Sequence, residues 1–192
     1  MGGNEYIKKI FKEHQVTTLN TLENCLPQIE NSVKVITKTL KNGSTVFWCG
    51  NGGSASDSQH LAAELVGRFK KDRRPLRSIA LTTDTSVLTA ISNDYSYEEI
   101  FSRQIEGLSK PNDLLITIST SGNSRNIINS LIKSKELRVN TIAILGKTGG
   151  KAKELSDNSI IVPSDITTRI QEVQILLGHT IIELVEKELG FA

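Results

Sequence analysis

Asp113-Leu114-Leu115-Ile116-Thr117-Ile118-Ser119-Thr120-Ser121-Gly122-Asn123-Ser124 is the stretch that decides the fold. Its first half is a continuous apolar run of strand length, as suits a strand covered on both faces. Its second half is a loop of hydroxyls around one glycine, and a helix is expected from Ser124 to Glu136. The stretch Thr45-Val46-Phe47-Trp48-Cys49, then Gly50-Asn51-Gly52-Gly53-Ser54, then a helical stripe over Ala55–Arg68, repeats that layout. Further strands are expected at Arg77–Leu81, Thr141–Leu145 and Ser159–Val162. Helices are expected at Thr83–Ile91, Tyr97–Leu108, Lys151–Ser156 and Arg169–Leu189. Strands alternating with helices, several of the strands apolar throughout, predict an α/β protein with a parallel sheet covered on both faces. In such a sheet ligands collect beyond the strand C-termini.

Before the first strand, helical spacing runs over residues 4–41. Ile7, Ile10, Phe11 and His14 form one set, and Ile29, Val33, Ile36 and Leu40 another. Pro27 lies between them, and a break there would put it in the first turn of a second helix. Asn42-Gly43 closes the segment. The whole is read as one domain over 1–192, with 1–42 an added N-terminal helical segment. The chain of 192 residues carries a net charge of +2, and 38% hydrophobic and 23% charged residues. That composition gives no electrostatic pull toward nucleic acid or membrane. No apolar run approaches the ~20 residues of a membrane span, and Met1–Gln15 lacks the apolar core of a signal peptide. A cytoplasmic location is expected. Cys25 and Cys49 match no metal or redox spacing, and Cys49, inside the apolar run 46–49, is expected to be a buried thiol.

The Ser119–Ser124 loop invites an anion. Its hydroxyls, the free N–H groups of the following helix and the positive end of its macrodipole all favour phosphate. No lysine is present, so it is not a P-loop. One helix cap needs one hydroxyl, and the loop offers several. The glycine loop at 50–54 lacks the spacing of a dinucleotide site, and no acidic residue is placed to hold a ribose.

Of three histidines, His60 lies one turn before Glu64, on the same helix face. The pair reads either as half of a divalent metal site, Zn²⁺ by its donor types, or as a surface contact. His179 follows Gln171 by eight residues in the last helix, about 12 Å along the axis. It is either an interior histidine or a ligand that leans back toward Gln171.

Gly50–Ser54, Gln59-His60, Ala63-Glu64-Leu65, Ala80–Ser86, Asn93-Asp94-Tyr95, Ile118–Ser124, Val162-Pro163-Ser164 and Arg169-Ile170-Gln171-Glu172 with His179 together resemble the phosphoheptose isomerase family. The match covers roughly residues 45–189, with order and spacing intact. Ser56 and Ser58 stand where alanines are expected, and Thr167-Thr168 replaces a variable pair. The resemblance implies the sugar isomerase (SIS) fold, a three-layer α/β/α sandwich with a central parallel sheet. It implies substrate contacts at Asn51, Gly52, Gly53, Glu64, Asn93, Asp94, Ser119, Thr120, Ser121, Ser124 and Gln171. It also implies one Zn²⁺ per subunit on His60, Glu64, Gln171 and His179, a homotetramer, and active sites at subunit interfaces. Helices from two chains would ease the spacing of Gln171 and His179.

The implied activity is ketose–aldose isomerisation of sedoheptulose 7-phosphate to D-glycero-D-manno-heptose 7-phosphate. That is the first step toward ADP- or GDP-heptose precursors of lipopolysaccharide or related glycans. Glu64 is assigned as base and His179 as acid for proton transfer through an enediol. Some SIS proteins are instead non-catalytic modules that bind a replication initiator or sense sugar phosphates. Such a binder has no need of His60, Glu64, Gln171 and His179 together.

Overall fold

A computed structural model describes residues 2–191. Five parallel strands form one sheet: β1 (Val46–Gly50), β2 (Ser78–Ala80), β3 (Leu114–Ser119), β4 (Asn140–Gly146) and β5 (Asn158–Val162). Their order in space is β2-β1-β3-β4-β5. β1 and β3 are buried at every residue, as their apolar runs require, whereas the edge strands β2 and β5 are buried only in part.

Side chains alternate across the sheet. Val46 and Trp48 point to one face with Leu114, Ile116 and Ile118, against α1 (Gly3–Lys41), α2 (Gly53–Val66) and α7 (Thr167–Glu188). Phe47 and Cys49 point to the other with Leu115, against α4 (Ser102–Leu108), α5 (Arg125–Glu136) and α6 (Ala152–Leu155). The short helix α3 (Thr85–Asp94) has no buried residue. The sheet with its two helical layers is the sandwich that the family resemblance implied.

The order of the strands places the site. From β1 the chain moves outward to β2, and from β3 it moves the other way to β4 and β5. The crevice between the ends of β1 and β3 is therefore a topological switch point. Gly50 lies opposite Ile118 in the register, so both strands release their loops at the same level.

Two expectations need correction. The N-terminal segment is one helix of 39 residues with Pro27 inside it. Proline lacks the N–H that would bond the carbonyl four residues back. Packing overrides that loss: Cys25 and Ile29 on either side of Pro27 are buried in the core, and α1 lies along α7 and β5. The helix expected at Tyr97–Leu108 is instead a 3-10 turn at Tyr97–Glu99 followed by α4. The break buries both Ile100 and Phe101, which consecutive positions on one helix would splay apart by about 100°.

Candidate active site

The two loops at the switch point enclose a small polar cavity of about 70 Å³, lined by Asn51, Ser54, Ile118, Ser119, Thr120, Ser121, Ser124 and Gln171. No lysine or arginine lines it. What it offers an anion is hydroxyls, amides and the N-termini of α2 and α5. Ser119 accepts the Gly122 N–H (3.0 Å) and Ser121 the Asn123 N–H (3.2 Å), which folds the loop into a tight cup. Ser124 is the N-cap of α5 but makes no side-chain cap bond. Among the described residues, neither Thr120 nor Ser124 spends its hydroxyl on the protein.

Gly122 has φ +63°, and a Cβ there would fall 1.9 Å from the Gly149 carbonyl oxygen, so the turn after β4 backs the cup directly. Gly122 also accepts the Ala152 N–H at 2.9 Å.

Asn51 is held rather than open. Its amide exchanges two hydrogen bonds of 2.9 Å with the Asn126 amide, and its oxygen accepts the Tyr97 hydroxyl at 2.9 Å. Asn126 and Tyr97 were not anticipated from the sequence. One is a buried polar residue in an amphipathic helix and the other an exposed tyrosine, and neither carries a local signature. Asn93 donates to Asp94 at 2.8 Å. Both are exposed at the end of α3, outside the lining of the cavity.

The titratable residues gather further along α2 and α7, which lie side by side in parallel. Gly53 faces Gln171 at the cavity end, and Leu61 faces Gly178 two turns later. A Cβ on Gly178 would sit 2.5 Å from a Leu61 methyl, so glycine permits the close approach. Just beside this contact, His60 Nε2 and His179 Nε2 are 2.9 Å apart, and Glu64 Oε1 is 3.3 Å from His60 Nε2. One ligand atom from each of the three residues lies within 4.8 Å of the others. Phe69 stacks on His179, with ring centroids 5.5 Å apart.

Asp57, one turn before His60, belongs to the same electrostatic neighbourhood. Burial holds its carboxyl above the usual carboxylate range, opposed by His60 and His179. It too was missed, since an aspartate on a polar helix face announces nothing.

His60, Glu64 and His179 converge within one chain, so no second chain is needed to bring them together. Gln171 lies nearer the other end of the same groove, its amide nitrogen against Gly53. The spacing of about 12 Å between Gln171 and His179 is the length of a site that α2 and α7 line together. Two imidazoles and a carboxylate are a donor set of the kind catalytic zinc sites use.

Residues 10–146 match the SIS domain family. The chain is 52% identical to the phosphoheptose isomerase of Aliarcobacter butzleri over 184 residues, 96% of this chain and 97% of that one. It is 53% identical to that of Aquifex aeolicus over 183 residues, 95% and 96% of the two chains. Among solved structures, the phosphoheptose isomerase of Neisseria gonorrhoeae superposes with a TM-score of 0.91 at 36% identity, covering 96% of this chain and 98% of that one. That from Francisella tularensis gives 0.94 at 32% identity, with 97% and 100% covered. With the sheet order, the hydroxyl cup and the paired histidines, these likenesses establish that the chain belongs to the phosphoheptose isomerase family of SIS-domain proteins.

Proposed function

We propose that the protein is an intramolecular aldose–ketose isomerase that converts sedoheptulose 7-phosphate into D-glycero-D-manno-heptose 7-phosphate. The observation that carries the reading is the two-ended site. A cavity of hydroxyls and helix N-termini lies at one end of α2, and Glu64 with His60 and His179 lies further along. The rise from Gly53 to His60 is about 10 Å. That separation suits a substrate whose phosphate is several carbons away from its carbonyl.

The phosphate sits in the cup of Ser119, Thr120, Ser121 and Ser124, with the amides at Gly52 and Gly53. It supplies binding energy remote from the reacting carbons. Glu64 removes the proton from C1 of the ketose. His179 donates a proton to the C2 carbonyl oxygen to give the enediol; His179 then takes the O1 hydroxyl proton while Glu64 returns its proton to C2, which leaves the aldehyde at C1. Asn93 and Asp94 are proposed to contact the sugar hydroxyls, and Asn51 to shape the first loop. His60, Glu64 and His179 would hold Zn²⁺, and Gln171, nearer the phosphate end of the groove, is proposed as a further donor whose side chain would swing along the groove to reach it. Bound there, the metal supplies Lewis-acid polarisation of the substrate carbonyl.

No helix among the described residues is long and apolar enough to cross a membrane. A cytoplasmic homotetramer is proposed, supplying heptose for lipopolysaccharide or related glycans. The test is turnover of sedoheptulose 7-phosphate beside sedoheptulose and fructose 6-phosphate. An aldoheptose phosphate should form from the first, and sedoheptulose without its phosphate should react poorly. A chain that binds the phosphate ester without turning it over would instead be a sensing or docking module.

A further inference from the structure

We infer that the buried Arg73–Glu186 ion pair is a positioning device for Glu64 and His179, acting through the loop that joins α2 to β2. The inference rests on the assignment of those two residues as base and acid. Arg73 and Glu186 touch neither reacting side chain, yet their hydrogen bonds end on the backbone that carries or supports both.

Glu186 lies on α7, seven residues after His179, and its side chain is 3% exposed. Its Oε1 accepts from Arg73 Nε at 2.6 Å and from the Phe69 N–H at 3.2 Å, and its Oε2 accepts from the Lys70 N–H at 3.3 Å. Phe69, pinned by its backbone, lays its ring on His179. The Arg73 guanidinium faces the other way, onto the last turn of α2. It donates to the carbonyls of Glu64 (2.7 Å), Leu65 (2.8 Å) and Gly67 (3.2 Å).

The last carbonyls of a helix have no partner within it, and a cation there also suits the macrodipole. Arg73 therefore fixes the turn that carries Glu64, while Glu186 fixes the ring that backs His179. A buried ion pair is a weak source of stability compared with apolar residues of like volume. Its placement here is explained by which atoms it holds: the base's own carbonyl and the N–H of the residue stacked on the acid.

The experiment compares Glu186→Gln, Arg73→Lys and Phe69→Leu with the unmodified enzyme, alongside Glu64→Gln and His179→Gln. The readouts are kcat, KM for sedoheptulose 7-phosphate, and the ring signals of histidine labelled with ¹³C at ε1. With three histidines in the chain, His14, paired with Glu172 on α7, is an internal control.

In Glu186→Gln and Arg73→Lys, kcat should fall about tenfold or more with KM within about twofold, as expected when reacting groups are misplaced by a fraction of an ångström. The His179 signal should lose its ring-current shift while that of His14 stays. Phe69→Leu leaves every bond of the ion pair intact, and should move the same signal and slow turnover. If the ion-pair variants do not fold, Glu186→Asp, which keeps the charge and shortens its reach, decides by the same kcat and His179 readouts.

Folded variants with unchanged kcat would overturn the inference, as would slower turnover with an unmoved His179 signal or with all three signals lost together. If Glu64→Gln or His179→Gln keeps full kcat, the acid–base assignment falls first. If both lose activity while the ion-pair variants keep it, only the positioning role falls.

Discussion

Two imidazole nitrogens 2.9 Å apart cannot both present a proton to each other. Either one donates to the other, or both lone pairs face a cation, with Glu64 alongside. With the proposed Zn²⁺ bound there, chelation should lower the thermal midpoint and the turnover together, and added Zn²⁺ should restore both. An unchanged midpoint after verified metal removal would detach the cluster from stability. Glu64→Gln keeps the shape but not the proton acceptor, and kcat should fall about 10²-fold or more, with KM little altered because the cup for phosphate is untouched.

Cys49 is a residue of the opposite kind. Burial pushes its thiol from 9.0 up to about 12, with the Ser130 contact acting weakly the other way. The thiolate is the reactive form. Native protein at pH 8 should resist alkylation at Cys49, and unfolded protein should react. Between about pH 9 and 12 the unfolded chain loses this proton before the folded chain does, so rising pH favours unfolding across that window. Cys49→Ala should flatten the alkaline fall of the denaturation midpoint relative to the unmodified protein.

At the scale of elements, α2 and α7 build the site by lying parallel and close. Gly178→Ala drives a methyl into Leu61. Overpacking of this kind costs about 1–3 kcal/mol, and here it also separates His60 from His179, so stability and kcat should drop together. Gly53→Ala meets only the end of the Gln171 side chain. That variant should fold normally and show its defect in substrate affinity or turnover, since Gln171 must swing away. Denaturant midpoints beside kcat and KM separate the two cases.

The strands and both loops were legible in the sequence because each is local. An apolar run makes a buried strand, and hydroxyls at a helix start make an anion cup. The i,i+4 pair His60–Glu64 was legible for the same reason. Its meeting with His179 was given by the family resemblance and not by spacing, because 119 positions separate the two histidines and only the packing of α2 on α7 joins them. Spacing along α7 alone made Gln171 and His179 look awkward partners for one ligand. The continuity of α1 through Pro27 was hidden likewise, since propensity favours a break and tertiary burial overrules it.

At the scale of the molecule, α1 extends past what the sheet needs. Its first half exposes Ile7, Phe11, Leu19 and Leu22, with Phe11 at 67%. An apolar stripe of that length is suited to a second copy of the chain, and closed symmetric assemblies are the rule for soluble homo-oligomers. Sedimentation should show a species near four chains, and Phe11→Glu with Leu19→Glu should reduce it. Since His60, Glu64 and His179 close within one chain, mixing Glu64→Gln chains with His179→Ala chains should restore no activity even where subunits exchange. Rescue would place the base and acid on different chains.

The most direct test of the whole account is one NMR time course of sedoheptulose 7-phosphate in D₂O, with unmodified protein and with Glu64→Gln. The account predicts an aldoheptose 7-phosphate from the unmodified protein, deuterated at C2 as the enediol is reprotonated, and little or no product from the variant. No aldose from the unmodified protein, or equal turnover by Glu64→Gln, would contradict it.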